Sequence, residues 1–231
     1  MMTPVTITAP RRSLADHGDL AEVARLLESA PAADIVAWAA LRYGSGLVMT
    51  ASFQDCVLID VVAGVAPGTE VVFLDTGYHF DETLAYLAQV RERYGLNLRV
   101  VGPELAPDDR WRHDPDGCCQ ARKVEPLRRA LTGKAAWLSG LRRADNPLRA
   151  GVPVVGYDEV CGAVKVNPLA TWSDDDVAAY VAERELPVHP LRAQGFTSIG
   201  CWPCTRPTAP GEDPREGRWS GSAKTECGLH L

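Results

Sequence analysis

Two pairs of cysteines are placed where they could bind a metal. Cys118 and Cys119 are adjacent and are followed at once by Arg122 and Lys123, and a C-x-x-C pair occupies 201–204. Adjacent thiolates repel each other, and a bound metal or cluster together with nearby cations offsets that repulsion. Four thiolates from two loops suit zinc or an iron–sulfur cluster, so we predict a ligand set rather than small buried apolar residues.

A further cysteine near the C-terminus has the surroundings of a nucleophile. Cys227 stands between Glu226 and Gly228, and it follows Arg215 and Arg218 in the chain. Nearby cations favour the thiolate, which is the nucleophilic form of cysteine. The sequence therefore predicts covalent chemistry at this position.

The composition indicates a globular cytoplasmic protein. The chain has 231 residues, 46% of them hydrophobic and 23% charged, with a net charge of -6. This charge argues against broad nucleic-acid binding, and no apolar run is long enough to span a membrane. The sequence of residues 1–15 predicts a mobile arm that is not a secretory signal. Seven cysteines in a chain without an export signal indicate that the protein resides in the reducing cytosol. Of the two cysteines outside any motif, Cys161 is expected to be structural, and no role is predicted for Cys56.

The elements that must position these residues alternate between strand and helix. Apolar runs predict strands at 47–51, 70–75, 98–101 and 135–139, with a β-hairpin or edge strands within 151–166. Helical spacing predicts helices at 19–27, 31–44, from 57, 81–94, 125–131 and 173–186. This alternation predicts a mostly parallel sheet with ligands at the carboxyl ends of its strands. We expect one α/β domain over 16–199, followed by a functional C-terminal segment at 200–231.

Polar turns at these strand ends are the candidate nucleotide site. Ser52-Phe53-Gln54-Asp55 follows the first strand, and Asp75-Thr76-Gly77 follows the second. A strand, a short turn and a helix bring backbone N–H groups to one point, which favours an anion. Asp75 and His79 could equally cap the helix that follows.

Two adjacent arginines follow the fourth strand. Arg142 and Arg143 are placed to bind phosphate or sulfate through the fork of a guanidinium group. A solvated basic turn is the equal alternative.

Six segments resemble the assimilatory adenylyl-sulfate reductases of the PAPS/APS reductase family. The resemblance covers the chain from about Gly46 onward, with the motifs in the family's order. They are Leu74–Gly77, Cys118–Leu127, Gly140–Arg143, Cys201–Arg206, Arg215–Trp219 and Glu226–His230.

The resemblance implies a cofactor and a set of site residues. It implies a [4Fe-4S] cluster on Cys118, Cys119, Cys201 and Cys204, with Cys227 as the nucleophile. Lys123 would lie between the cluster and the substrate. The implied substrate-binding residues are Ser52, Phe53, Gln54, Asp55, Asp75, Thr76, Gly77, Arg122, Arg142, Arg143, Arg215 and Arg218. At the first of these turns the chain departs from the family pattern, because Phe53 and Gln54 stand where a small and an acidic residue are frequent.

The resemblance also implies a fold and a reaction. The fold would be a doubly wound, mostly parallel sheet of the adenine nucleotide alpha hydrolase-like (PP-loop) type. The reaction would be thioredoxin-dependent reduction of adenosine 5′-phosphosulfate (APS) to sulfite and AMP in sulfate assimilation, through a cysteine S-sulfonate. Both cysteine pairs favour APS over its 3′-phosphorylated relative PAPS. The alternatives are a PAPS reductase, an iron–sulfur tRNA-thiolating enzyme and a non-catalytic zinc module, and a homo-oligomer remains open.

Overall fold

The computed structural model describes residues 17–220, 224–226 and 228–229. The predicted arm at 1–15 lies outside these residues, as do Cys227 and His230 of the C-terminal motif. Within the described part of the chain, no helix combines the length and apolar character needed to cross a membrane.

Six strands form one sheet, and they follow the predicted positions closely. Their order across the sheet is β3-β2-β1-β4-β6-β5, and all neighbours are parallel except β5 and β6. The strands are β1 (Leu47–Thr50), β2 (Glu70–Leu74), β3 (Leu98–Val101), β4 (Ala136–Leu138), β5 (Val155–Asp158) and β6 (Ala163–Val166). The predicted hairpin therefore supplies an antiparallel edge strand and one inner strand.

The order of the strands reverses beside β1. The chain passes from β1 outward to β2 and β3, and then returns to place β4 on the other side of β1. At such a switch point the connections leave in opposite directions, which opens a crevice at the carboxyl ends of the two central strands.

Helices cover both faces of the sheet, which confirms the predicted α/β fold. They are α1 (His17–Leu27), α2 (Ala32–Tyr43), α3 (Val57–Val65), α4 (Asp81–Tyr94), α5 (Pro115–Cys119), α6 (Glu125–Leu131) and α7 (Asp174–Glu183). Because side chains alternate along a strand, Leu47 and Met49 of β1 join the larger core, whereas Val48 packs with Leu127 and Trp137 on the opposite face.

The last helix ends earlier than its sequence pattern suggests. Ser173 and Asp176 form a capping box, with the serine hydroxyl accepting from Asp176 N at 3.1 Å. The predicted end at Leu186 is wrong, because the helix stops at Glu183. Glu185 turns into the left-handed region at φ 49°, and the backbone N–H of Leu186 then caps the Val181 carbonyl.

A buried histidine fixes the segment that leads toward the second cysteine pair. His189 is 1% exposed, its Nε2 bonds Thr83 Oγ1 at 3.0 Å, and its Nδ1 accepts from Leu191 N. The N–H of Leu191 makes Nδ1 an acceptor, so the ring is neutral and Nε2–H donates to Thr83. Burial, with help from Arg192 and against Glu82, lowers the pKa of His189 to about 4.

This histidine makes the stability of the fold depend on pH. The unfolded chain takes up the proton near pH 6.5, while the folded chain resists it down to about pH 4. Stability contributed by the neutral ring is therefore complete above pH 6.5, and about 3 kcal/mol should be lost by pH 4.

Urea unfolding, followed by tryptophan fluorescence at several pH values, measures this contribution. We expect His189→Gln to be less stable than wild type at pH 7 and to show a flatter pH dependence between 6.5 and 4. His113→Gln, at an exposed histidine, is the matched control and should keep the wild-type profile. Equal slopes for wild type and His189→Gln would contradict the expectation.

Candidate functional site

One large cleft opens at the carboxyl ends of β1, β2 and β4. It lies at the switch point of the sheet. Eight of the predicted site residues outside the cysteine pairs line it: Ser52, Gln54, Asp55, Thr76, Lys123, Arg142, Arg215 and Arg218. They come from five separate segments of the chain, which the fold brings to one point.

The turn after β1 presents its polar side chains and buries its aromatic one. Phe53 is 1% exposed, and its ring lies 5.5 Å from that of Phe73 in the core. Its φ of 56° is unusual for a residue with a side chain. Gln54 Oε1 accepts from Ile199 N at 3.2 Å, and Asp55 Oδ1 accepts from Val57 N at 3.1 Å. Phe53, which was predicted to bind substrate, therefore does not line the cleft.

The turn after β2 is connected to the second cysteine pair. Thr76 is buried, with its hydroxyl 3.3 Å from Cys201 Sγ, and it accepts from Tyr78 N. Asp75 Oδ1 accepts from Gly77 N at 2.9 Å, which stabilises the turn itself. His79 Nε2 bonds the carbonyl of Leu74 at 3.0 Å. Neither Asp75 nor His79 caps α4, so the capping alternative is wrong for both.

His79 lines the cleft as a neutral side chain. Burial lowers its pKa, and the hydrogen bond to the Leu74 carbonyl requires the proton on Nε2. It therefore presents no cation to the cleft at neutral pH.

A wide helical turn follows the adjacent cysteines and was not predicted from the sequence. Residues Gln120–Val124 are π-helical, with Glu125 N donating to Gln120 O. The turn carries Arg122 and Lys123 between α5 and α6. Such turns shift the faces of the helix that continues beyond them.

The two basic residues of this turn have different environments. Lys123 lines both the large cleft and the cavity that contains the cysteines. Arg122 is 2% exposed, and its guanidinium donates to the carbonyls of Thr76 and Ala106 and covers the Tyr78 ring at 4.6 Å. Arg122 lines the cysteine cavity and not the cleft. Its hydrogen bond to the Thr76 carbonyl therefore stabilises the turn after β2 from the side of the cysteine cavity.

The two arginines after β4 also lie in different environments. Arg142 lines the cleft, where Nη2 donates to Asp145 at 2.6 Å and to Asp174 at 2.8 Å. Its buried Nη1 finds no hydrogen-bond acceptor among the described residues. Arg143 instead pairs with Glu28, beside α1, and donates to the Val152 carbonyl. The structure therefore brings one arginine of the pair to the cleft.

The C-terminal segment joins the second cysteine pair to the remaining arginines. Trp219 N donates to Cys204 O at 2.9 Å, and a β-bridge links Arg218 to Thr205. The Arg218 guanidinium crosses directly over Gly200, where a Cβ would overlap it. The cysteine turn and the arginines of the cleft are thus one hydrogen-bonded unit.

The two cysteine pairs surround one small cavity. Cys118, Cys119, Cys201 and Cys204 all line it, together with Tyr78, Trp111, Pro115, Arg122, Lys123, Pro203 and Trp219. None of the six described cysteines forms a disulfide. Asp114 caps α5 through Gly117 N at 2.8 Å, and a Cβ at Gly117 would overlap the Asp114 carboxylate. The cap and the glycine therefore fix the start of the cysteine helix.

The thiols are close enough to affect one another's protonation. Burial raises the pKa of Cys204 to about 11, with further contributions from Cys201 and Cys119. Burial likewise raises the pKa of Cys118, aided by Cys119 and Cys201. A bound metal would reverse this effect, because it holds cysteine as thiolate.

This donor set has the residue types and the arrangement of cluster ligands. In the described part of the chain, no three Cys, His, Asp or Glu side chains are grouped closely enough to hold one metal ion. The ligands of a cluster bond to different iron atoms and surround a volume, as these four thiols do. Cys118, Cys119, Cys201 and Cys204 are therefore the residues that could hold a cluster.

The other two described cysteines are packing residues. Cys56 lies in the main core, where its thiol is 3.8 Å from the Pro187 carbonyl. Cys161 packs against the smaller hydrophobic cluster on the opposite face of the sheet, which includes Val48 and Trp137. The prediction that Cys161 is structural agrees with this placement.

The described parts of the tail lie against the cleft on both sides of residue 227. Lys224 pairs with Asp116 of α5, and Leu229 lines the cleft, with its carbonyl accepting from Lys165 Nζ at 3.4 Å. Glu226 is buried against Arg149. Arg149 and Lys165 were not predicted, since single basic residues outside a motif carry no sequence signal.

The fold and this site define a PP-loop-like α/β protein with a cysteine-lined cavity beside a cationic cleft. Residues 46–207 match the phosphoadenosine phosphosulfate reductase domain. The chain therefore belongs to the PAPS/APS reductase family, whose members are oxidoreductases acting on sulfur.

Relatives in two other organisms match almost the whole chain. It is 42% identical over 240 residues to adenosine 5′-phosphosulfate reductase from Rhodococcus opacus, covering 94% of this chain and 97% of that protein. It is 44% identical over 236 residues to the Streptomyces coelicolor protein of the same name, covering 98% and 100%.

Solved structures agree with the fold. A phosphate complex of phosphoadenylyl-sulfate reductase from Candida auris superposes with a TM-score of 0.71 at 25% identity, covering 87% of this chain and 99% of that one. FMN adenylyltransferase from Candida glabrata, in complex with ATP, superposes with a TM-score of 0.59 at 15% identity, covering 96% and 78%. The second likeness is one of fold alone.

Proposed function

We propose that the protein reduces APS to sulfite and AMP in the cytoplasm, with thioredoxin or a similar dithiol as the electron donor. The observation that carries this proposal is the meeting of Lys123, Arg142, Arg215 and Arg218 at one cleft. Four cationic side chains suit a substrate with two adjacent anionic groups. Glu226 and Leu229, on either side of Cys227 in the chain, contact residues of the same cleft or line it.

In the first step, the Cys227 thiolate attacks the sulfur of the sulfo group. An S–S bond forms and the bond from sulfur to the phosphate oxygen breaks, so AMP leaves with the electron pair of that bond. Because one anion attacks another, the step needs cations that balance the charge in the transition state. Arg215 and Arg218 supply donors there, since the buried Nε of each finds no acceptor among the described residues.

In the second step, a thiolate of the reduced dithiol attacks Cys227 Sγ and displaces sulfite. The second thiol of the donor then resolves the mixed disulfide, which restores the Cys227 thiolate and leaves an oxidised donor. The two electrons that reduce the sulfur come from this dithiol.

We infer that Cys118, Cys119, Cys201 and Cys204 hold a [4Fe-4S] cluster. When bound, the cluster would supply fixed charge beside the substrate and join α5 to the second cysteine turn. Lys123, which lines both cavities, would lie between it and the substrate.

The choice of substrate is the test of this function. Anaerobically purified protein with reduced thioredoxin should release sulfite and AMP from APS, and kcat/KM for APS should exceed that for PAPS by about 100-fold or more. A 3′-phosphate adds a doubly charged group, and its desolvation costs free energy unless the cleft supplies a partner for it.

Product analysis separates the outcomes. Comparable kcat/KM for both substrates, or faster release of adenosine 3′,5′-bisphosphate from PAPS, would favour the PAPS reductase alternative. Absence of sulfite with either substrate would contradict the proposed reaction.

A further inference from the structure

Glu226, the residue before Cys227, forms the most buried ion pair of the described tail. Arg149 donates from Nε to Oε1 at 2.9 Å and from Nη2 to Oε2 at 2.8 Å. Asn146 Nδ2 donates to Oε1 at 3.0 Å. The Glu226 and Arg149 side chains are only 2% and 7% exposed. A two-point pair excluded from water fixes both position and orientation.

The segment that binds Glu226 forms part of the wall of the cleft. Arg149 and Asp145 both line it, and Arg149 Nη1 donates to Asp145 Oδ2 at 3.0 Å. Asn146 Oδ1 accepts from Leu148 N, which fixes the direction of its amide. The same stretch begins with Arg142, so the tail is anchored to the loop that presents a cation to the cleft.

Arg149 also leaves Arg215 available to an incoming anion. Arg215 Nη2 lies 3.4 Å from Glu226 Oε1, a longer contact than either bond from Arg149. The Nε of Arg215 has no acceptor within the described part of the chain. With both carboxylate oxygens already bound by Arg149, Arg215 can turn to substrate without leaving Glu226 as an unpaired buried charge.

We propose that Glu226 is a positioning residue, which binds Arg149 and Asn146 and so holds the neighbouring cysteine at the cleft. The predicted effect of Glu226 on the rate of SO₃ transfer rests on the proposed function. Its predicted effect on the reactivity of Cys227 does not. Without the pair, residues 224–226 lose this attachment to the wall of the cleft, and the cysteine that follows should then react more readily with other reagents.

The mechanical test measures how fast Cys227 reacts with N-ethylmaleimide in the whole protein, with labelled peptides identified by mass spectrometry. Glu226→Gln keeps the size of the side chain and removes its charge, so labelling of Cys227 should accelerate about tenfold or more. Glu212→Gln is the matched control, because Glu212 pairs with Arg206 on the exposed side of the same segment. Its labelling rate should equal that of wild type.

The kinetic test follows single-turnover transfer of SO₃ from APS. Glu226→Gln should transfer it about 100-fold more slowly, because small misplacement of a nucleophile has effects of this size. AMP affinity and iron content should stay at the wild-type level, which a generally damaged fold would not allow. Glu212→Gln should transfer at the wild-type rate.

The pairing itself is tested by combining substitutions. If Arg149 acts through Glu226, Arg149→Met with Glu226→Gln should be no slower than the slower single variant. Losses that multiply would mean that the two residues act separately, and the inference would be overturned.

The labelling experiment tests the anchor independently of the proposed function. An unchanged rate of Cys227 labelling in Glu226→Gln would overturn the anchor whatever the enzyme does with APS. Wild-type protein that forms no adduct would instead contradict the proposed reaction, and the labelling rates would still decide the anchor.

Discussion

Cys227→Ser should abolish sulfite release while leaving the iron content and the affinity for AMP unchanged. A serine hydroxyl is a far weaker nucleophile than a thiolate at neutral pH, so turnover should fall roughly 10⁴-fold or more. Substrate binding should persist because the cations that line the cleft, Lys123, Arg142, Arg215 and Arg218, are untouched.

Detection of the covalent intermediate by mass spectrometry tests this expectation directly. Wild-type protein given APS without a thiol donor should gain the mass of one SO₃ group, on the peptide that contains Cys227. Added reduced thioredoxin should remove that mass and release an equal amount of sulfite. Cys161→Ser, at a cysteine packed on the sheet, should form the adduct as wild type does.

A direct electron-transfer mechanism would give the opposite pattern. If electrons reached the substrate without a covalent step, Cys227→Ser would retain most of its activity. No adduct would then be found on any peptide of the wild-type protein.

The fold could be predicted because its signals are local. The elements β3, α4 and α6 begin and end at the predicted residues. A buried strand or an amphipathic helix can be recognised from the spacing of apolar residues within its own short segment. The parallel sheet also follows from alternation of strands and helices, because parallel strands need crossover connections. The alternation does not fix the order of the strands, so the switch point beside β1 comes from the structure.

The roles of single charges could not be predicted in the same way. Arg142 and Arg143 are adjacent and chemically identical, yet one lines the cleft and the other binds Glu28, 115 residues away in sequence. Arg122 stands beside Lys123 in the π-helical turn, yet only Lys123 lines the cleft. Spacing along the chain identifies candidates, whereas pairing across the fold assigns their partners.

The anchor of the tail shows the same limit. Glu226 belongs to a recognisable motif, but Arg149 is 77 residues away and has no pattern around it. A buried pair of this kind becomes visible only when the two segments are brought together.

Cys201→Ser should lose iron, brown colour and activity together. Cys201 is buried at the cavity that the four cysteines share, and its sulfur lies 3.3 Å from the Thr76 hydroxyl. A serine there stays protonated at neutral pH and is a poor ligand for iron, so the set of four is broken. Cys161→Ser is the matched control and should keep its iron and most of its activity.

The loss should extend beyond the cavity, because the cysteine turn and the cleft are one unit. Trp219 N is bonded to the Cys204 carbonyl, and Arg218 lies across Gly200, so a loosened turn releases both from their places. We therefore expect AMP to bind about tenfold or more weakly to Cys201→Ser, as measured by calorimetry on anaerobic protein. A colourless wild-type protein with one equivalent of zinc would contradict the cluster. Unchanged AMP affinity in a variant without iron would contradict the coupling between the two cavities.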